Sequence, residues 1–123
     1  MNLHESAEMY LETIYLLTSK SSTVRSIDVA EHMGYSKPSV SRAIGLLKKG
    51  GYLTVAADGY LSLTAEGIEA SKKIFERHTV LSRFLKVIGV DDEIAAKDAC
   101  KIEHVVSDET IKAIKNFIEK QNL

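Results

Sequence analysis

A mainly α-helical fold with one small β-hairpin is what this sequence predicts, and three observations carry that reading. Apolar residues recur at helical spacing along most of the chain, and Ser, Thr, Asp, Gly and Pro stand where helices would start and stop. The strand-like runs flank the tight-turn pair Asp58-Gly59. A length of 123 residues, 45% of them hydrophobic and 27% charged, suits one compact domain or a small domain with a helical extension.

Glu5 to Thr18 reads as the first helix, with Met9, Tyr10, Ile14, Tyr15, Leu16 and Leu17 spaced three to five apart, and Ser19 to Ser22 ends it. Ser26 is the expected cap of a short second helix that runs through Met33 and stops at Gly34. Ser36 is the next cap, and Pro38 falls in the first turn of a third helix to about Lys49, where its missing N–H does no harm. After Gly50-Gly51, Tyr52 to Ala56 and Tyr60 to Leu63 are β-prone. Thr64 then caps a long helix toward Ile88 that Gly89 ends. Asp91 caps a helix through about Val106, with Ile94, Ala95, Ala99, Ile102, Val105 and Val106 as its apolar arc. Ser107 caps the last helix, which carries Ile111, Ile114, Phe117 and Ile118.

Helix, helix, turn, helix and hairpin within residues 1–63 is the winged helix-turn-helix plan, and residues 64–123 form a second, helical domain. The third helix would enter the major groove of DNA. Its Val40, Ile44 and Leu47 fit an inward stripe, while Lys37, Pro38, Ser39, Ser41 and Arg42 are offered to base edges and phosphates. Net charge is −1, but Lys20 to Gly50 holds six bases, Arg25 among them, against two acids, a local balance of +4. Arg25 is counted with the DNA-facing set. No stretch approaches the roughly 20 apolar residues that cross a bilayer, and the N-terminus lacks the pattern of a secretory signal. The expected location is the cytoplasm.

Cys100, Glu103 and His104 stand at i, i+3 and i+4, so a helix would project all three from one face. Thiolate, carboxylate and imidazole suit borderline ions such as Fe²⁺, Co²⁺, Ni²⁺ and Zn²⁺ better than Ca²⁺ or Mg²⁺. From the residues alone, two other readings stay open for Cys100, the single cysteine: a small buried hydrophobe, or a redox-sensing thiol whose pKa His104 lowers.

Taken together, Glu8-Met9-Tyr10-Leu11-Glu12-Thr13-Ile14-Tyr15, Ser36-Lys37-Pro38-Ser39-Val40-Ser41 and the run Ala99 to Glu109 resemble the diphtheria toxin repressor family of metal-dependent regulators, across essentially the whole chain. The resemblance implies a winged-helix domain, a helical metal-binding and dimerisation domain, and repression by a metal-loaded homodimer on operator DNA. It further implies a primary metal site of the iron type on Met9, Cys100, Glu103 and His104. In manganese-type relatives the first two positions are Asp and Glu, a harder pair. Glu12 and His78, however, match second-site ligands of the manganese type, so the site is a hybrid, with one or two ions per chain. The iron-type ancillary site would want Glu at Ser82 and His at Ala96, and neither is present. The chain ends at Leu123 without the SH3-like third domain of many iron-type members.

The cofactor that the resemblance implies is a divalent transition metal, Fe²⁺ favoured and Mn²⁺ possible, with Co²⁺, Ni²⁺ and Zn²⁺ as substitutes in vitro. Neither a catalytic acid-base pair nor a phosphate loop accompanies the ligands, so no enzyme, small-molecule substrate or membrane partner is expected. The alternative function is a thiol-based redox-sensing winged-helix regulator using Cys100. Ile94, Ile111, Ile114 and Ile118 are candidates for the dimer interface or for the core of each subunit. His4 and His32 are expected at the surface.

Overall fold

The computed structural model describes residues 5–121, and its contacts cluster into two units, Met1–Lys72 and Lys73–Leu123. His4 lies outside the described residues. The first unit contains α1 (Glu5–Lys20), α2 (Ser26–Met33), α3 (Lys37–Lys49), β1 (Leu53–Val55), β2 (Leu61–Leu63) and the opening turns of α4 (Ala65–Val87). The second contains the rest of α4, α5 (Asp92–Ile102) and α6 (Asp108–Lys120).

The core of the first unit forms where the apolar stripes of its helices meet. Leu11 and Ile14 of α1, Val29 of α2, Val40 and Leu47 of α3 and Leu53 of β1 are all essentially inaccessible. Each such side chain contributes roughly 1.5–3 kcal/mol on burial. Val40, Ile44 and Leu47 face inward, as their spacing predicts, which leaves Lys37, Pro38, Ser41 and Arg42 exposed on the opposite side of α3.

Chain direction changes where backbone chemistry demands it. Gly34 takes φ +72°, a left-handed conformation that closes α2, with its N–H donating to the Ala30 carbonyl. The Ser36 hydroxyl accepts from the Ser39 N–H at 3.3 Å, and so opens α3 as expected. The expected cap of α2 is displaced by one residue. Arg25 occupies that place and Ser26 is already helical, because the Asp28 carboxylate reaches back to accept the Arg25 N–H at 2.8 Å.

β1 and β2 pair antiparallel with Leu53 opposite Leu63, Thr54 opposite Ser62 and Val55 opposite Leu61. The Ala56 N–H to Tyr60 carbonyl bond closes a loop of residues 57–59, with Gly59 at φ +89°. These strands are shorter than the β-prone runs because Tyr52 is used otherwise. Its N–H donates to the Leu47 carbonyl, and its own carbonyl accepts from Thr64 N–H. Thr64 caps α4 by accepting from Gly67 N–H at 3.1 Å, while its hydroxyl donates to the Gly51 carbonyl at 2.6 Å. Gly67 is buried there, where a Cβ would lie 2.0 Å from the Tyr52 carbonyl oxygen.

The second unit is built around Val80 and Leu81 of α4, Ala99 of α5 and Ile111 of α6, with Ile102, Val106 and Ile114 packed against them. The Asp91 and Ser107 caps are present. The expectation of one helix from Asp91 through Val106 is corrected. α5 ends at Ile102, and the Val105 and Val106 N–H groups both turn back to the Ile102 carbonyl. Ile94 and Val105, placed on the apolar arc from sequence, are 53% and 66% exposed. Ile111 and Ile118 are buried within the chain itself.

Candidate metal centre

Where α5 ends, its last carbonyls lose their helical donors, and the chain turns through Glu103 and His104 before Ser107 opens α6. Glu103 is fully buried and the His104 side chain is 3% exposed. The carboxylate lies between two imidazoles: Oε2 is 2.8 Å from His78 Nδ1 on α4, and Oε1 is 3.3 Å from His104 Nε2. Burying a carboxylate costs several kcal/mol unless it is met by opposite charge or donors.

Glu103 and His104 belong to a group whose ligand atoms lie close enough together to hold a divalent ion. Ligand atoms bound to one ion at about 2.0–2.2 Å stand about 3 Å from one another, and carboxylate with imidazole is a donor pair that first-row divalent metals accept. Glu103, His78 and His104 are therefore brought together by the fold, from positions 25 and 26 residues apart. Cys100, one turn before Glu103, is exposed, which removes the reading of it as a buried structural hydrophobe. Met9 and Glu12 lie one turn apart on α1 in the first unit, both half-buried. Ser82 is buried and Ala96 exposed, and neither carries the metal-binding group that an iron-type ancillary site would need.

Sequence reading missed the residue that shapes this turn. Arg77, next to His78 on α4, donates from Nη1 to the Glu103 carbonyl at 3.0 Å and from Nη2 to Asp108. Lys73, one turn earlier, donates to the other Asp108 oxygen at 3.1 Å. Hydrogen bonds from Arg77 and Lys73 hold the Asp108 carboxyl below its ordinary 3.8. One guanidinium thus fixes both ends of the segment that carries Glu103 and His104. Arg77 beside a candidate ligand and Asp108 at a helix start were the available signals, but pairs 26 and 31 residues apart leave no periodicity to read.

In the first unit the DNA-facing candidates gather at the N-terminus of α3. Ser36 Oγ donates to Ser39 Oγ at 2.9 Å, and Arg42 Nη2 lies 3.5 Å from the same oxygen. Lys37, Pro38, Ser41 and Arg42 are exposed, Ser39 is half-buried, and among the described residues no carboxylate pairs with Lys37 or Arg42. Arg25 is exposed as well, with its guanidinium 4.4 Å above the centre of the Tyr60 ring.

Comparison with known proteins places both halves in one family. Residues 2–61 match the iron dependent repressor N-terminal DNA binding domain, and residues 64–122 match the iron dependent repressor metal binding and dimerisation domain. The chain is 32% identical over 120 residues to an uncharacterised HTH-type transcriptional regulator of Methanocaldococcus jannaschii, covering 96% of each. It is 35% identical over 116 residues to the transcriptional regulator MntR of Escherichia coli O157:H7, covering 94% of this chain and 75% of that one. With the diphtheria toxin repressor of Corynebacterium diphtheriae it shares 34% over 109 residues, covering 88% of this chain but 48% of the longer protein. Among solved structures, a manganese-dependent transcriptional repressor in complex with manganese superposes with a TM-score of 0.81 at 27% identity, over 92% of this chain and 52% of the other. These matches leave the redox-sensing alternative for Cys100 without support. The chain belongs to the iron-dependent repressor family, whose members are metal-dependent transcriptional repressors.

Proposed function

We propose that this chain controls iron or manganese homeostasis as a cytoplasmic homodimer that binds operator DNA when loaded with a divalent metal. The observation that carries the metal half is the buried Glu103 carboxylate flanked by His78 and His104. The DNA half is supported by the exposed face of α3, where Lys37 and Arg42 pair with no carboxylate among the described residues.

The proposed primary ligands are Met9, Cys100, Glu103 and His104, the set that the family resemblance implies, with Glu12 and His78 as candidates to hold a second ion together with Glu103. These residues would hold a divalent ion whose positive charge would offset the buried Glu103 carboxylate. Methionine and cysteine soften the set, which favours Fe²⁺ over Mn²⁺. The protein acts by binding rather than catalysis, and its partner is duplex DNA, contacted by Lys37, Pro38, Ser39, Ser41 and Arg42 of α3 and by Arg25.

The test is an anaerobic, thiol-reduced titration of DNA binding with Mn²⁺, Fe²⁺, Co²⁺, Ni²⁺ and Zn²⁺, using a duplex selected from a random pool by the metal-loaded protein. Fe²⁺ should activate at lower concentration than Mn²⁺, and Met9→Asp with Cys100→Glu should reverse that order. Lys37→Ala and Arg42→Ala should each weaken DNA binding and lower the salt slope by about 0.9, with metal affinity nearly intact. DNA binding indifferent to every metal would refute the proposal.

A further inference from the structure

The contact between Arg25 and Tyr60 joins two parts of the DNA-binding unit that the sequence separates by 35 positions. Arg25 is the N-cap of α2, immediately before the helix that precedes α3. Tyr60 follows the hairpin tip, where the Asp58 carboxylate accepts its backbone N–H at 3.3 Å and Gly59 holds φ +89°. A backbone bond joins the same two segments, because the Leu61 N–H donates to the Val24 carbonyl at 2.8 Å. The Arg25 guanidinium is thus 4.4 Å over a half-buried ring that is itself pinned on both sides.

The guanidinium has no acceptor among the described residues. Asp28, the nearest acid in sequence, is engaged by the Arg25 backbone N–H and not by the side chain. A guanidinium carries five N–H donors, and one ring face can meet only part of them, so the others stay available to a ligand. An exposed arginine loses rotamer freedom when it is fixed by a ligand, so an arginine already held by an aromatic face meets a phosphate with less to lose. Gly59 belongs to the same arrangement: a Cβ there would come 3.8 Å from Arg25 Nε, in a backbone conformation that other residues rarely adopt.

We infer that Tyr60 is a positioning residue for DNA binding, its ring holding the Arg25 guanidinium in place to donate to a backbone phosphate beside the hairpin. The inference rests on the reading of Arg25 as a DNA contact. Tyr60 acts through Arg25, and its hydroxyl is not required.

The metal-loaded protein and its selected duplex test this across a salt series, with Arg25→Ala, Tyr60→Leu, the double variant and Tyr60→Phe. Arg25→Ala should lower the salt slope by about 0.9 and weaken binding by about three- to tenfold. Tyr60→Leu should reproduce most of that loss, the double variant should lose no more than Arg25→Ala alone, and Tyr60→Phe should bind like the wild type. A Tyr60→Leu effect that adds in full to that of Arg25→Ala, or a wild-type slope in Tyr60→Leu while Arg25→Ala lowers it, overturns the positioning role and spares the DNA contact. An unchanged slope in Arg25→Ala overturns the DNA contact itself, and the inference with it. If Tyr60→Leu fails to fold, Tyr60→Trp takes its place. The stronger stacking face should tighten binding only while Arg25 is present, and an equal gain on the Arg25→Ala background overturns the inference.

Discussion

At the scale of single residues, Arg77 does work that neither candidate ligand beside it could do alone. Its side chain is 13% exposed against 62% for Asp108, so the pair is half in water and contributes about 1 kcal/mol or less to stability as an ion pair. Its larger effect is on the turn. Removing a group that orients metal ligands typically costs 10- to 100-fold in metal affinity, and Arg77→Ala should fall within roughly that range in a competition titration with a chromophoric chelator. Arg77→Lys should recover only part, because a lysine lacks the fork that spans the Glu103 carbonyl and Asp108. Unchanged affinity in Arg77→Ala would remove Arg77 from the metal centre. The acid limb follows from Asp108, whose folded-state pKa is lowered below 3.8. Its contribution is present above that value and vanishes as pH falls through the folded one. Asp108→Asn should therefore be less stable than wild type near neutrality and indistinguishable from it at the acid end of an urea-melt series. Equal stability at both ends would contradict the pairing. Cys100, Glu103 and His104 stood out in sequence by a spacing that presumes one helix, but α5 ends at Ile102, leaving Cys100 exposed and Glu103 buried. Arg77 did not stand out, since its two partners are set by how α4 meets the α5–α6 turn.

Elements were legible where a single side chain starts or stops them. Ser36, Thr64, Asp91 and Ser107 each cap a helix, as their types and positions predict, and Gly34 and Gly89 both take the left-handed conformation that closes one. Besides the α2 cap, displaced from Ser26 to Arg25, the misplaced boundary at Ile102 came from reading periodicity as continuity. Apolar spacing persists through Val105 and Val106, but their N–H groups return to Ile102 and the helix is already over. Gly67 offers the sharpest test of how α4 meets the hairpin. Replacing a helical glycine with alanine usually stabilises by up to about 1 kcal/mol, whereas here, in the first turn of α4, the new methyl would sit 2.0 Å from a main-chain oxygen that cannot rotate away. Gly67→Ala should be destabilised by about 1–3 kcal/mol net, seen as a lower midpoint in thermal or urea unfolding. A raised midpoint would show that the approach of Tyr52 to α4 is looser than described.

For the whole molecule, the two halves match a DNA-binding domain and a metal-binding and dimerisation domain, and their coupling is a thermodynamic quantity. If metal raises DNA affinity by some factor, DNA must raise metal affinity by the same factor. Calorimetric metal titrations with and without the selected duplex should show equal factors in both directions, and metal affinity that ignores saturating duplex would break the link. The plan of two domains was legible because helix, helix, turn, helix and hairpin occur in that order. Which exposed apolar residues serve a partner subunit was not. Ile111 and Ile118 are consumed by the chain's own core, whereas Ile94 and Phe117 remain 53% and 46% exposed.

The bond from Leu61 to the Val24 carbonyl has one more consequence. A two-stranded ribbon has open margins, and an open margin recruits strands from other molecules, the usual start of runaway polymerisation. Val24 occupies the Leu61 donor from within the same chain, so β2 offers no free N–H there for a stray strand. The hairpin can therefore be presented to solvent with less risk of becoming a seed for fibres.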